Sequence, residues 1–538
     1  MARKTIEQYA TRFQHLQTVR SPHENKWRAI AAYMRPVRNE LMAIYNSGQL
    51  PPEMPPYVTS SAAAFALDNF AGGIYGYASS DVNAWFTVET NDADLNEWHA
   101  AKTWLQTVSK RCLNSYGPAV ANFYSQVPEL YADAPAFGTG SFLSEFRRGQ
   151  KRISDRAFSP FDLYLDVDDY DEHNSWYRPF WFTKAQMQSR GWKTDGHPQL
   201  QAARDDQRFQ VCHVVERNDS YSEGRFGAEN LPFHDIYFMP ELKIELQAGG
   251  RYEGYHTPRW SGTGPYGFGI GHRALPDAKT LNSLERSLLE NAEWQAHPAP
   301  LMPDRNEVST VRPMPRKPIF GGMSPGGRRM VDFLSPPGNV GVTHEMLKAR
   351  QEDLRNAFVF GLMQMVGRSG MTAVEHMSRD AERMRLIAPY IGRIQTEFLS
   401  RSVANRFMML WREGQLPEPP KELANTDLKI SYVSPMANAQ KSDQATGTLR
   451  LIDTVIAVSQ IDPTASDNLN ADRALAVVRD AFNAPADVLR APEDVEKLRA
   501  ERQAMQQAQN ALNMGQQGAD IAQKAASVSA MRNNGMAA

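Results

Sequence analysis

Apolar residues recur at helical spacing in the first part of the chain. Trp27, Ile30 and Met34 lie three and four residues apart, so they would share one face of a helix that Pro36 ends. Further segments with this spacing are 60–79, 101–116 and 122–146. The pattern predicts that residues 1 to about 145 are helical.

Between residues 150 and 255 the pattern changes to short runs of β-branched and aromatic residues separated by turn residues. The runs are FDLYLDVDD (161–169), YRPFWFT (177–183), RFQVCHVVERN (208–218), HDIYFMP (234–240) and LKIELQAGG (242–250). They predict a small β region beside the helices. The expected fold class is therefore mainly α with a smaller β component, an α+β fold.

Two long helices are predicted further along the chain. The helical period of the first begins at about residue 275, with Pro276 in the first turn, where a missing N–H is tolerated, and Asp277 near the positive end. The second extends over 343–366. Their apolar stripes are Leu281, Leu284, Leu288 and Ala292 in the first helix, and Leu347, Leu354, Phe358 and Leu362 in the second. Together they predict a helix hairpin.

The insert between these helices is rich in proline, glycine and basic residues. Within it, KPIFGG (317–322) and RRMVDFL (328–334) predict two strands of a small exposed β unit at the tip of the hairpin. Its basic side chains are Arg305, Arg312, Arg316, Lys317, Arg328 and Arg329. Such a surface could bind phosphate or dock a protein, since arginine serves both purposes, and the sequence leaves the two open.

A glycine-flanked break, GRSG at 367–370, precedes a predicted helix of about 40 residues. Thr372 and Glu375 have the spacing of a capping box at its start, and the period continues to Glu413. Pro389 lies inside this helix and predicts a kink.

The C-terminal part of the chain predicts one strand and then more helix. DLKISYVSP (427–435) is the strand, and residues 440–490 are helical with polar breaks. From about residue 492 an Ala/Gln-rich helix has only a thin apolar stripe. It would need copies of itself or a partner beside it, because it cannot bury enough surface alone.

Composition narrows the class of protein. The chain has 538 residues, which suggests two to four subdomains. Its net charge of −2 is not the excess of positive charge that is expected of a protein that coats nucleic acid. Cys112 and Cys212 are the two cysteines, so no disulfide framework is expected and a reducing compartment fits. The first residues are charged and polar, unlike a signal peptide. We expect no membrane-spanning helix, because no apolar run is long enough.

A glycine-rich stretch, SGTGPYGFGIGH at 261–272, raises the question of nucleotide binding. Its glycines are Gly262, Gly264, Gly267, Gly269 and Gly271. The first three match the G-x-G-x-x-G spacing, but Pro265 falls inside the motif, eight residues separate it from the predicted helix, and no βαβ unit follows. A hinge leading into the long helix is the favoured reading, and a nucleotide-binding enzyme is the alternative.

Two other features could suggest a metal or catalytic site. The acidic run 162–172 resembles a calcium loop, but it lacks the required glycine, and Tyr177 stands where the twelfth-position glutamate belongs, so a solvated hairpin turn is favoured. His213 lies in a predicted strand and reads as a structural histidine. We expect no enzyme, no cofactor, no catalytic residues and no metal site, because no catalytic set or Walker lysine is apparent.

These elements, in this order, resemble the head-to-tail connector (portal) protein of T7-like short-tailed bacteriophages. The matching segments span nearly the whole chain: ENKWRAIAAYMRP (24–36), ALDNFAGGIYGYASSDVNAWFTVE (66–89), ELYADAPAFGTGSFLSE (129–145), FQVCHVVERND (209–219), GPYGFGIGHRALPDAKTLNSLERSLLENAEWQAHPAPLM (264–302), GMTAVEHMSRDAERMRLIAPYIGRIQTEFL (370–399) and LKISYVSPMANAQKSD (428–443). The segment at 264–302, with its Leu-Asn pair and closing prolines, is the most specific.

The resemblance implies a ring of about twelve copies around a channel for double-stranded DNA. It implies this division: 1–260 wing (helical N-terminal part, then β-rich 150–255), 261–296 hinge and first stem helix, 297–342 clip, 343–366 second stem helix, 367–371 tunnel loop, 372–434 kinked helix and wing strand, 435–490 crown, and 491–538 C-terminal barrel helix and tail. A slightly acidic chain suits a DNA conduit, because a strongly basic channel wall would hold the duplex.

The resemblance also implies partners and positions. The terminase motor and later the tail adaptor or nozzle proteins would dock on the clip, major capsid and scaffolding proteins would surround the ring, and the tunnel loop would hold Gly367, Arg368, Ser369 and Gly370 near the DNA. The protein would be assembled in the host cytoplasm and would reside in the virion at the capsid portal vertex, without a membrane. Another structural virion protein, such as a tail adaptor, is the second alternative.

Overall fold

The structure, a computed structural model, describes most of the chain. The described residues are 4–38, 58–82, 84–147, 152–192, 197–222, 230–251, 254–297, 300–301, 326–328, 332–333, 340–358, 391–423, 426–433, 447–458, 469–481 and 494–507, with 509, 521 and 524. Among them no helix is long and apolar enough to cross a lipid bilayer.

Helices and small antiparallel sheets alternate along the described residues. The helices are α1 (Ile6–Met34), α2 (Ala62–Ala78), α3 (Ala93–Glu97), α4 (His99–Asn114), α5 (Phe123–Phe137), α6 (Lys184–Ser189), α7 (Pro198–Ala202), α8 (Ile270–Ala296), α9 (Val340–Ala357), α10 (Ser400–Arg412), α11 (447–458), α12 (Ala471–Ala481) and α13 (494–507). The strands are β1 (Phe86–Thr90), β2 (Ser141–Arg147), β3 (Arg152–Phe158), β4 (Tyr164–Val167), β5 (His173–Thr183), β6 (Arg208–Arg217), β7 (Phe233–Met239), β8 (Ile244–Arg251), β9 (Tyr255–His256), β10 (Pro300–Leu301), β11 (Asp332–Phe333) and β12 (Leu428–Tyr432). The predicted α+β fold class is confirmed.

The chain divides into two compact units, which are described separately. The first comprises residues 1–85, 111–416 and 434–436, and the second comprises 86–110, 417–433 and 437–538. In the first unit, a five-stranded sheet has the order β4-β5-β6-β7-β8 and a three-stranded sheet has the order β3-β2-β9. In the second unit, β1 pairs with β12, with Val88 opposite Ile430.

Helix α1 packs its N-terminal half on the five-stranded sheet of the first unit. Tyr9 and Phe13 share an apolar cluster with Tyr177 of β5 and Val214 of β6. Further along the helix, the predicted apolar face is confirmed, because Trp27, Ile30 and Met34 are buried, and the helix ends before Pro36. The short β runs predicted between 150 and 255 are confirmed as β4 to β8.

Two strands interrupt the helices predicted for residues 1 to about 145. The first is the Trp-Phe strand that the resemblance implies after the apolar helix in the segment 66–89, and the second contradicts the helical pattern. Residues 86–90 form β1, and residues 141–147 form β2. Gly138 ends α5 in the left-handed region, with φ of 87°, and the chain then turns so that β2 can pair with β3 along its whole length. Pairing between distant segments outweighs the local helical pattern here.

The predicted start of the long helix at about residue 275 is also wrong. Helix α8 begins at Ile270, so Pro276 lies inside it rather than in its first turn, and Asp277 is not at its positive end. Ile270, Ala274 and Ala278 are buried at steps of four residues. The apolar face of the helix therefore extends back through Ala274 to Ile270, ahead of the predicted start.

Helices α8 and α9 pack together as the predicted hairpin. Leu281, Leu347, Leu354 and Phe358 of the two stripes are buried, while Leu284 and Leu288 are half-buried and Ala292 is exposed. Between the two helices along the chain, Asp332–Phe333 pairs antiparallel with Pro300–Leu301. The predicted strand in RRMVDFL is thus present, but its partner is a segment that we had not predicted as a strand; KPIFGG lies outside the described residues.

Candidate functional site: the glycine loop before helix α8

The loop of residues 261–269 lies in backbone contact with the C-terminal end of α5. A Cβ atom added to Gly267 would come within 3.0 Å of the carbonyl oxygens of Gly138 and Ser261, and one added to Gly138 would meet the backbone of Gly267. The N–H of Trp260 donates to the carbonyl of Gly138 at 2.8 Å. Only glycine allows such an approach of two main chains.

The last two glycines of the stretch extend this contact into the helix. Gly269 is the N-cap of α8, and Gly271 is its second residue. A Cβ at Gly269 would meet the carbonyl of Pro135, and one at Gly271 would meet the carbonyl of Ala136. The start of α8 is therefore wedged against the last turn of α5 without side chains between them.

The first two glycines serve the turn itself. Gly262 has φ of 93° and Gly264 has φ of 85°, both in the left-handed region that disfavours other residues. A Cβ at Gly264 would meet nothing within 4 Å. Its requirement for glycine is therefore conformational, whereas that of Gly267 comes from packing.

Three amide groups of the loop have partners within the chain. The N–H of Gly264 donates to the carboxylate of Asp171 at 2.6 Å, the N–H of Gly267 to the hydroxyl of Thr139 at 2.9 Å, and the N–H of Phe268 to the carbonyl of Ser261 at 2.8 Å. A phosphate cradle needs free N–H groups, and here a carboxylate occupies the position an anion would take. The preceding strand, β9, belongs to an antiparallel sheet rather than to a βαβ unit. The geometry therefore disfavours the nucleotide-binding alternative.

Arg259 binds the loop to the turn between β4 and β5. Its guanidinium donates to the Asp171 carboxylate at 2.8 Å, to the Asp171 carbonyl at 2.7 Å and to the Gly264 carbonyl at 2.9 Å. Asp171 has a positive φ of 63°, so the turn is held in a conformation unusual for aspartate. Partial burial works to raise the pKa of Asp171, but the Gly264 N–H and Arg259 outweigh it, and the pKa is lowered.

Glu397 binds the same loop from the helical segment that leads into α10. Its carboxylate accepts from the backbone N–H of Arg259 at 2.8 Å and from the Arg393 guanidinium at 2.8 Å. Arg393 also donates to the carbonyl of Gly262 at 3.0 Å. Burial works to raise the pKa of Glu397, but the Arg259 N–H and the two arginines lower it below its ordinary value.

Two histidines complete the surroundings of the loop. Nε2 of His173 donates to the carbonyl of Pro265 at 2.9 Å, and Nδ1 of His272 accepts from the N–H of Gly269 at 3.1 Å. Burial lowers the pKa of each to about 4. Both are therefore neutral at pH 7, and His272 must be neutral to accept the helix-cap hydrogen bond.

Residues 168–172 of the acidic run form the predicted hairpin turn, whereas Asp162 is buried and Asp166 lies in β4. Asp168 accepts the N–H groups of Tyr170 and Glu172, Asp166 pairs with Arg12, and Asp171 faces Arg259. The carboxylates are directed to separate partners. Among the described residues, no group of three potential ligands is placed to hold a metal ion.

His213 has the structural role that its strand predicted. Its Nδ1 lies 2.9 Å from the Tyr255 hydroxyl and its Nε2 lies 2.7 Å from the Asp235 carboxylate. The ring is buried and stacks on Tyr237. These contacts join β6, β7 and β9 in the first unit.

Most of the other predicted site residues lie outside the described residues. These are the tunnel-loop residues Gly367, Arg368, Ser369 and Gly370, the kink residue Pro389, and the clip residues Arg305, Arg312, Arg316, Lys317 and Arg329. Arg328 is described and is exposed. These assignments remain predictions.

The residues that hold the loop are hard to predict from the sequence. Asp171, Arg259 and Glu397 are separated by 88 and 138 positions. The Arg393–Glu397 spacing of four on a helix was the available signal, and it predicts a pair but not what the pair binds.

Within the first unit, the glycine loop is thus held against α5, the β4–β5 turn and the segment before α10 by backbone contacts and ion pairs. The description "Bacteriophage head to tail connecting protein" matches residues 6–489 of the chain. The chain belongs to that family, and the resemblance found in the sequence is confirmed.

Two relatives are similar over most of their length. A "Probable portal protein" of Bordetella phage BPP-1 is 24% identical over 491 residues, which cover 86% of this chain and 85% of that protein. A "Portal protein" of Salmonella phage epsilon15 is 22% identical over 444 residues, which cover 80% and 79%. The chain therefore functions as a phage head-to-tail connector of the portal type.

Proposed function

We propose that the protein forms a ring of about twelve copies at one capsid vertex, around a channel through which double-stranded DNA is packaged and ejected. The observation that carries this proposal is the family match across residues 6–489, together with the packed hairpin of α8 and α9. In this proposal residues 1–260 are the wing, α8 and α9 are the stem, 297–342 the clip, 367–371 the tunnel loop and the residues after 435 the crown and barrel. The chain itself is structural, and ATP hydrolysis belongs to the terminase motor.

The proposed partners follow from this arrangement. The basic residues of 297–342 would dock the terminase and later the tail adaptor, and the outer face of the ring would meet the capsid and scaffolding proteins. The protein would be assembled in the host cytoplasm and retained in the virion. The glycine loop would be the joint between wing and stem.

Exposed apolar side chains support assembly from copies. Along α8 and α9, Leu289, Trp294 and Met346 are 55%, 45% and 52% exposed. In the second unit, Leu451 of α11 and Met505 of α13 are exposed as well. Helices with large exposed apolar residues gain stability from neighbours, and a ring supplies a neighbour to each copy through contacts that close by rotation.

The test is native mass spectrometry of the purified full chain, with negative-stain images of the same sample. We expect a closed ring with a central hole and a mass near twelve times the 60.5 kDa of the chain. A monomer or dimer across a range of salt concentrations would contradict the proposal and favour another virion component, such as a tail adaptor. Saturable binding of ATP that Gly264→Ala abolishes would instead favour the nucleotide-binding alternative.

A further inference from the structure

The helical segment that carries Glu397 is not wound as a regular α-helix. Residues 391–394 and Ser400–Arg412 are α-helical, but Gln395–Leu399 between them forms a π-helical turn. The N–H of Ser400 donates to the carbonyl of Gln395, five residues back. Such a turn has one residue more than a turn of α-helix, and π turns within α-helices are frequent at functional sites.

The burial pattern explains why the turn is present. The buried positions that follow one another at steps of four are Ile394, Phe398, Ser402, Arg406 and Leu410. In regular α winding each step of four advances by about 40° around the axis, so the fourth step would turn the last side chain about 160° from the first. The wider π turn takes up part of this rotation.

Opposite sides of the π turn have different partners. Phe398 is fully buried and packs on Phe142, with ring centroids 5.2 Å apart. Glu397, the residue before it, points to the glycine loop and receives the Arg259 N–H and the Arg393 guanidinium. One residue of the turn anchors the helix in the core, and the next residue holds the loop.

The bonds of Glu397 also close a chain of ionic contacts across the loop. Arg259 reaches Glu397 at 3.4 Å and Asp171 at 2.8 Å, so the β4–β5 turn, the loop and the helix are joined through one guanidinium. Arg401, one turn further along the helix, reaches Glu172 of the same β4–β5 turn at 3.3 Å. Removing Glu397 leaves Arg259 bound to Asp171 but no longer bound to the helix.

We propose that Glu397, carried by the π turn, is a latch that holds the glycine loop to the helix in the state described here, and that its release lets loop and helix open together. This device goes beyond ring formation, since it resides within one chain.

The test is hydrogen exchange of the full chain, followed by mass spectrometry of peptides that cover 258–272 and 391–401. We expect Glu397→Gln to accelerate exchange in both peptides by about tenfold and by similar factors, because one opening exposes both. Unchanged exchange in both peptides, or acceleration in only one, would overturn the proposal.

A matched control separates the latch from a general loss of charge. Glu145 of β2 is bound to Arg156 at 3.0 Å and is about as exposed as Glu397. Glu145→Gln should leave both peptides unchanged. If Glu397→Gln does not fold, Arg393→Gln provides the second variant, because Arg393 is more exposed and contacts both Glu397 and Gly262. Arg393→Gln should accelerate exchange in both peptides by a similar, smaller factor. If exchange is accelerated in neither peptide, the proposal is overturned.

Failure of the latch and failure of the proposed function are distinguishable. The latch is read from exchange rates, which can be measured whether the chain is a ring or a monomer. Ring formation is read from the native mass. If the wild type forms a ring but its two peptides exchange as fast as those of Glu397→Gln, the latch is contradicted and the proposed function is not.

Discussion

Helix α8 begins against protein backbone and ends exposed to water. At its start Gly269 and Gly271 touch the main chain of α5, and Asn282, in the middle, is still buried. In its last turns Leu289 and Trp294 are exposed. The first half is therefore specified by contacts within the chain, whereas the second half leaves apolar side chains exposed, and in the proposed ring these would meet a neighbouring copy. Substitutions in the first half should change stability, and those in the second should change assembly.

The largest effect is expected from Gly267→Ala. The added Cβ would lie within 3.0 Å of two carbonyl oxygens, and both belong to backbone that cannot move aside cheaply. We expect the free energy of unfolding to fall by more than about 3 kcal/mol, measured by urea denaturation.

Gly264→Ala is the matched control for Gly267→Ala. Its Cβ would meet nothing, so only the positive φ disfavours alanine, and the loss should be about 1 kcal/mol. Equal losses in the two variants would show that the close backbone contact does not decide the requirement for glycine.

Acidification should weaken the loop through His173. Burial lowers its pKa to about 4 in the folded chain, while the unfolded chain has the ordinary value of 6.5. Between these values the unfolded state binds more protons, so stability falls as pH decreases from 6.5 and the loss is complete near pH 4. We expect a contribution of at most about 3 kcal/mol.

The measurement compares the wild type with His173→Gln at pH 7 and pH 4.5. Glutamine can still donate to the Pro265 carbonyl but does not titrate. The variant should lose less stability than the wild type over this interval. If the two lose equally, His173 is not the group that carries the pH dependence of the loop.

A smaller loss is expected when Asn282 is replaced by leucine. Its side-chain oxygen accepts the N–H of Thr59 at 2.6 Å and that of Ser60 at 3.2 Å, and both Asn282 and Ser60 are buried. Leucine would leave both donors without an acceptor, at a cost of about 2 kcal/mol. Thermal unfolding measures this. Ser283→Ala, on the exposed side of the same helix, is the control and should change stability little.

The elements were largely predictable from the sequence because each has its own local period. The buried Trp27, Ile30 and Met34 and the strands β4 to β8 follow directly from spacing of three to four and from β-branched runs. The start of α8 was missed because its first turns use glycine and alanine, which carry almost no apolar signal. Strand β2 was missed because its pairing partner, not its own pattern, determines its conformation.

The contacts of the glycine loop were not predictable in the same way. That Asp171, Arg259 and Glu397 meet depends on the packing of three distant segments, and no spacing encodes it. The sequence did indicate that the glycines lack the setting of a nucleotide site. It could not indicate that Gly267 and Gly138 need each other, since each is an ordinary turn glycine when read alone.

The smallest effect on stability is expected at the exposed end of α8, where the comparison between its two halves becomes sharpest. Trp294→Ser removes a side chain that is 45% exposed, so the free energy of unfolding should change by less than about 0.5 kcal/mol. Because tryptophans buried at interfaces often dominate binding, the fraction of chain in rings should nevertheless fall several-fold in native mass spectra. Glu290→Gln, which alters an exposed ion pair with Arg286 on the same helix, is the control and should assemble as the wild type does. The opposite result would contradict this prediction. If Trp294→Ser leaves the ring fraction unchanged but lowers the free energy of unfolding by more than about 1 kcal/mol, as a substitution in a core does, then this end of the helix is packed within its own chain.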